Sequence, residues 1–245
     1  MVFVLSLVLF ILLLLIGKER GFKTFITFFL SIFLIILYLS FISLGLNAYI
    51  LAIIICLIAT VITLFIINGH NIKTKSSFYS IMIVLIIVFV IIFLISKNAN
   101  IQGFSMESIE SIGGLSFDIN YDMTNVLIGM YLISIIGTII DTSISVSSAM
   151  NEVYVNNPKI DSKELFKSGM NVGKDILSTT INTLFFALIS NFIGFFMWHH
   201  NISLEYVINY KAFVNYIIEL LIAFIASIII IPITAFITSK ILFNK

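Results

Sequence analysis

Charged side chains are scarce in this sequence: Asp, Glu, Lys and Arg together make up 10% of it. Soluble domains carry about a quarter of their residues charged, so this supply is too thin for an ordinary solvated surface. Cysteine occurs once, as Cys56 inside an apolar segment, which excludes an intrachain disulfide and any multi-cysteine metal site. Proline occurs twice, so long stretches contain nothing that would stop a helix. No basic run with interleaved aromatics is present, and nothing points to nucleic acid as a partner. Enzyme signatures are missing too. There is no His-Glu-x-x-His, no Gly-x-Gly-Asp, no Gly-x-x-x-x-Gly-Lys, and no nucleophile with an evident base. The expectation is a protein that is not an enzyme and needs no cofactor.

What is abundant is apolar surface: 60% of residues are hydrophobic and the mean hydropathy is +1.19, which places the chain among integral membrane proteins. A spanning helix needs about 20 apolar residues to cross roughly 30 Å of hydrocarbon. Seven segments qualify, at about 2–17 (short), 25–43, 48–67, 78–96, 123–147, 176–197 and 212–239. The expected fold is therefore a single all-α transmembrane domain of about seven helices. Met1 to Leu5 carries no charge ahead of the first run, whereas Lys18, Glu19 and Arg20 follow it, the pattern of a retained anchor with its amino terminus outside.

Basic residues set the orientation. With the amino terminus outside, Lys18, Arg20, Lys23, Lys73, Lys75, Lys159, Lys163, Lys167, Lys174, Lys240 and Lys245 fall inside, and only Lys97 and Lys211 outside. The carboxyl terminus is then cytoplasmic. Between the fifth and sixth segments, Asp161 or Ser162 reads as a helix cap with Glu164 in the first turn. Leu165, Phe166 and Met170 make an apolar face and Lys163 and Lys167 a wet one. That pattern predicts a short amphipathic helix on the inner surface, serving as a strap. No period of 20 to 50 residues repeats, so any second half of a symmetric unit must come from another chain.

Polar residues concentrate between Ser134 and Asn191, inside segments hydrophobic enough for a bilayer. On a helix, Ser134, Thr138, Asp141, Ser145, Ser148 and Glu152 fall within an arc of roughly 80°. Asn171, Asp175, Ser178, Thr179 and Asn182 share one face of the next segment. An ionised Asp at mid-helix costs about 2.5 to 3.5 kcal/mol on insertion scales, so it must be paired, protonated or facing a cavity. Asp141 lies about 27 Å along its helix, near the inner boundary. Two readings stay open: contact with inner-leaflet water or Lys174, and a proton- or cation-binding carboxylate lining an inward cavity. In the second reading Ser145, Ser148, Ser178 and Asn182 supply neutral groups beside it. Asp175 and Glu152 read as interfacial, while Glu219 lies about 31 Å back from Lys240, at the outer boundary. Pro232 frees the carbonyl of Ile228, either as a plain kink or as an opened turn contributing a carbonyl to a path. The candidate polar path is Asp141, Ser145, Ser148, Asp175, Ser178, Asn182 and Glu219. His199 and His200 read as an interfacial cap, and Gly169 and Gly173 as close helix packing.

The string Gly137-x-x-x-Asp141-Thr-Ser-Ile-Ser-x-x-Ser-Ala-Met-x-Glu152, then Glu164-Leu-Phe-x-Ser-Gly169-Met-Asn-x-Gly173-Lys-Asp175 and Asn182-Thr-Leu, resembles the YibE/F family of multipass bacterial membrane proteins. The likeness extends to Arg20-Gly21, Gly69-His-Asn-x-Lys73-Thr, Gly103-Phe-Ser-x-Glu107, Asn209, Glu219 and Pro232-x-Thr-Ala235, and so covers nearly the whole chain. Lys174 stands where arginine is usual and Ser178 where glycine is common, which bears only on helix packing near Ser178. The resemblance implies a permease-type protein of the bacterial cytoplasmic membrane, with no settled substrate. It also implies the short, YibF-like form, whose partner would be a longer YibE-like paralogue with an extracytoplasmic domain. A coarser likeness, in helix order alone, is to the six-helix unit of resistance-nodulation-division exporters and of SecD/SecF. The large outer domain of those exporters is missing here.

The function expected is thus a permease or transporter subunit, working as a homo- or hetero-oligomer in lipid. The alternative is a structural or regulatory membrane partner of the longer homologue, its polar stripes serving only to dock.

Overall fold

The computed structural model describes residues 1–98, 122–198, 205 and 209–243. Among these residues no strand occurs. The long helices are α1 (Val2–Ser43), α2 (Ala48–Val61, continued by a π-helical turn over Ile62–Ile66), α3 (Ile72–Asn98), α4 (Met123–Asn156), α5 (Ser162–Trp198) and α6 (Lys211–Phe243). All six are long and apolar enough to cross a membrane.

Two of the seven expected segments lie within α1. The helix is broken at Lys18, whose φ of 48° and ψ of −123° are not helical. There the chain turns back on itself. Phe10 packs on Phe25 with ring centroids 4.6 Å apart and on Phe22 at 6.4 Å, whereas a straight helix would hold residues 10 and 25 roughly 22 Å apart. Gly21 sits against the backbone of Leu13, where any side chain would collide.

The short inner helix expected near 162–170 does not stand apart from the sixth segment: Ser162–Trp198 is one continuous helix. No proline falls between those residues, and Gly169 and Gly173, both buried, stay helical because neighbouring helices fill the space beside them. The amphipathic pattern is nevertheless present. Leu165 is fully buried and Lys163 and Lys167 are exposed, so the apolar face packs against the bundle.

The centre of the bundle is α4, half of whose apolar stretch is buried, flanked by α3 and α6. Buried hydroxyls join these helices. Ser77 of α3 bonds Ser147 of α4 at 2.7 Å, Ser147 donates to the Lys73 carbonyl at 3.2 Å, and Ser143 meets Thr234 of α6 at 3.0 Å. In lipid such pairs hold helices together where hydrophobic association cannot. Asn71 starts α3 by a reciprocal cap: its amide oxygen accepts from the Thr74 N–H and its own N–H donates to the Thr74 hydroxyl, both at 3.0 Å.

Helices consecutive in the chain run antiparallel, and α4 and α6 run parallel, Tyr131 meeting Asn215 and Ser143 meeting Thr234. The start of α3, the end of α4, the start of α5 and the end of α6 therefore share one end of the bundle, through Ser77–Ser147, Gly169 against Met150 and Ala235, and Tyr154 against Phe243. At the other end Tyr38, Ala48 and Gly129 meet. Large apolar side chains cover much of the outer surface, including Leu15, Ile86 and Phe236.

Candidate functional site

A cleft of about 550 Å³ opens between α4 and α5. From α4 it is lined by Gly137, Thr138, Asp141, Thr142 and Ser145, and from α5 by Ile176, Thr179, Thr180, Thr183 and Leu184. The α4 set follows from helical spacing, since residues 138, 141 and 145 stack on one face. Gly137 widens the mouth: nothing lies within 4 Å of where its side chain would begin.

Chemically the cleft offers one carboxylate and six hydroxyls. Thr179 donates its hydroxyl proton to the Ile176 carbonyl, and Thr183 to the Thr179 carbonyl, both at 2.9 Å. Their oxygens are thereby left to the cleft as acceptors. Asp141 is exposed within it, and among the described residues the only ion pair is Lys23–Glu19 at 2.7 Å. Pairing of Asp141 with Lys174 does not occur. No three His, Cys, Asp or Glu side chains come together among the described residues.

Of the expected path residues, Asp141 and Ser145 line the cleft; Ser148, Asp175, Ser178, Asn182 and Glu219 do not. Asp175, Ser178 and Asn182 are exposed on the outward side of α5. The phase of the helix explains this. Gly169 seats against Met150 and Ala235, and Gly173 against Ile231, which turns the face carrying Ser178 and Asn182 away from the bundle. Thr180 and Thr183 meet α4 instead. Glu219 is half-buried near the opposite end, one turn from Asn215, whose carbonyl accepts from the Tyr131 hydroxyl at 3.5 Å. Tyr131 is about 15 Å along α4 from Asp141. Pro232 is accommodated without ending α6. His199 and His200 and the outer segment with Gly103 and Glu107 lie outside the described residues.

Thr142, Thr180 and Thr183 were not legible as site residues from the polar pattern alone. The signal that could have found Thr180 and Thr183 is the packing pair Gly169 and Gly173, which marks the inward face of α5.

The fold and the cleft define a class: an α-helical protein with, among the described residues, six membrane-length helices and a polar cleft between two of them. The family model described as YibE/F-like protein matches residues 5–244, so the chain belongs to the YibE/F-like family. No curated protein and no solved structure matches it.

Proposed function

We propose that this protein is a permease or transporter subunit of the bacterial cytoplasmic membrane, in which the α4–α5 cleft is part of a polar path and Asp141 binds a coupling ion or a substrate group. The observation that carries this reading is an unpaired carboxylate facing an open, hydroxyl-lined cleft within membrane-length helices. Lipid alone cannot satisfy such groups, so water or a solute must reach them.

In this reading the two arms of α1 both cross, giving seven crossings with the amino terminus outside and the carboxyl terminus in the cytoplasm. The amphipathic start of α5 lies at the inner surface. Ten of the twelve described Lys and Arg residues, Lys18 to Lys75, Lys159 to Lys174 and Lys240, belong to the end that holds the start of α3 and the end of α6; Lys97 and Lys211 belong to the other. The positive-inside preference then puts the mouth of the cleft nearer the cytoplasmic side.

The test uses single cysteines at Thr138, Ser145 and Thr183 in a Cys56→Ala background, probed with a membrane-impermeant thiol reagent in inverted vesicles. All three should label, and Gly137→Leu should suppress labelling by filling the mouth. Protection of all three would remove the path and leave the docking partner of a longer YibE-like homologue as the function. In proteoliposomes, Asp141→Asn should abolish cation- or proton-coupled flux, and unchanged flux with unchanged pH dependence would remove the coupling role.

A further inference from the structure

The least hydrophobic of the six helices, α5, is also the least covered: only 11% of its apolar stretch is buried, against 50% for α4. That order is inverted for a membrane, where the most polar helix needs the most protein around it. The uncovered surface is broad, since Lys174, Thr179, Thr183, Phe186, Ala187 and Ser190 are exposed too, and within it runs one regular stripe: Asn171, Asp175, Ser178, Asn182, Phe185 and Ile189, all exposed, follow one another at steps of 4, 3, 4, 3 and 4. Such alternation is the seam of a left-handed helix pair. It points roughly 140° away from the residues of α5 that line the cleft, so the path does not account for it.

We propose that this seam joins two copies of the chain in a parallel homodimer, α5 against α5, about a two-fold axis along the membrane normal. Copies inserted with one orientation can close only about such an axis, which brings each residue to its own counterpart at the same depth. The seam suits that arrangement. Amide and hydroxyl groups both donate and accept, so Asn182 and Ser178 satisfy their own copies. Placed in the pattern, Asp175 and Asn182 take equivalent knob positions, and the hole that receives Asp175 is bordered by Lys174 of the other copy. Lys174 and Asp175 are adjacent, opposite in charge and both exposed, so the two-fold makes the pair reciprocally. A single buried Asn at such a position is a known determinant of register and of a two-stranded state.

The experiment takes the full chain in lipid nanodiscs. Native mass spectrometry should give twice the 27.6 kDa of the single chain. In the Cys56→Ala background, cysteines at Ser178, Asn182 and Phe185 should cross-link to a covalent dimer, and one at lipid-facing Ile86 should not. Asn182→Val should weaken dimerisation roughly threefold to thirtyfold. Asp175→Lys should weaken it as well, and the exchanged pair Lys174→Asp with Asp175→Lys should restore it. A monomeric mass, equal cross-linking at Ile86, or cross-links formed only with a co-expressed longer homologue would each overturn the homodimer. The cysteine-accessibility result for the cleft is read separately and stands or falls without it.

Discussion

At the scale of single residues, three glycines separate packing from access. The Gly129 side-chain position is closed by the Tyr38 hydroxyl, the Ala48 carbonyl oxygen at 3.2 Å and Ala52 Cβ at 3.3 Å. The last two are parts of α2 that cannot retreat separately, so Gly129→Ala should destabilise by about 1 to 3 kcal/mol. Gly173 faces Ile231 in the same way. Gly137→Ala meets nothing within 4 Å and should leave stability unchanged or slightly raised. Thermal midpoints of the purified variants in one detergent check the order; a Gly137→Ala loss as large as that of Gly129→Ala would contradict it. The polar residues of α4 likewise divide into two kinds. Ser143 and Ser147 hold helices together through Thr234, Ser77 and the Lys73 carbonyl, whereas Asp141 and Ser145 face the cleft. Composition treats these four alike, and only their angular positions tell them apart.

At the scale of elements, helix type and extent were largely readable. The fourth, fifth and seventh segments correspond to α3, α4 and α6, each running beyond its expected limits; α4 continues through the open Gly137 and α6 through Pro232. Both expected arms of α1 are present, and the break falls at Lys18, in the one charged cluster between them. The structure departs from the sequence expectation at the join between the amphipathic stretch at 162–170 and the sixth segment. A change from amphipathic to apolar character suggests a boundary, but backbone hydrogen bonding continues through it because Gly169 and Gly173 are packed rather than free. The α3–α4 contact yields a measurable quantity. A double-mutant cycle over Ser77→Ala and Ser147→Ala should give a coupling of about 0.6 kcal/mol, within the range found for hydroxyl pairs between membrane helices. Unfolding in mixed micelles reads it, and a coupling indistinguishable from zero would remove that bond from the account.

For the whole molecule, sidedness is the prediction. A fluorescent protein fused after residue 245 should fold and fluoresce on the cytoplasmic side, and alkaline phosphatase inserted between residues 105 and 115 should be active outside. Inactive phosphatase together with a dark carboxyl-terminal fusion would reverse the orientation. The sequence by itself determined the membrane class, the helical content and the family, because apolar length, scarce charge and the motifs around Asp141 and Asp175 are properties of the chain before it folds. It also determined which residues share a face, since that follows from the helical repeat alone. The tertiary structure decided which face meets which. The repeat gives angles between side chains but no rotational phase, and phase is set where Gly169 and Gly173 let α5 settle onto Met150, Ala235 and Ile231. That seating puts Thr179, Thr180 and Thr183 opposite Asp141 and leaves Ser178 and Asn182 facing outward.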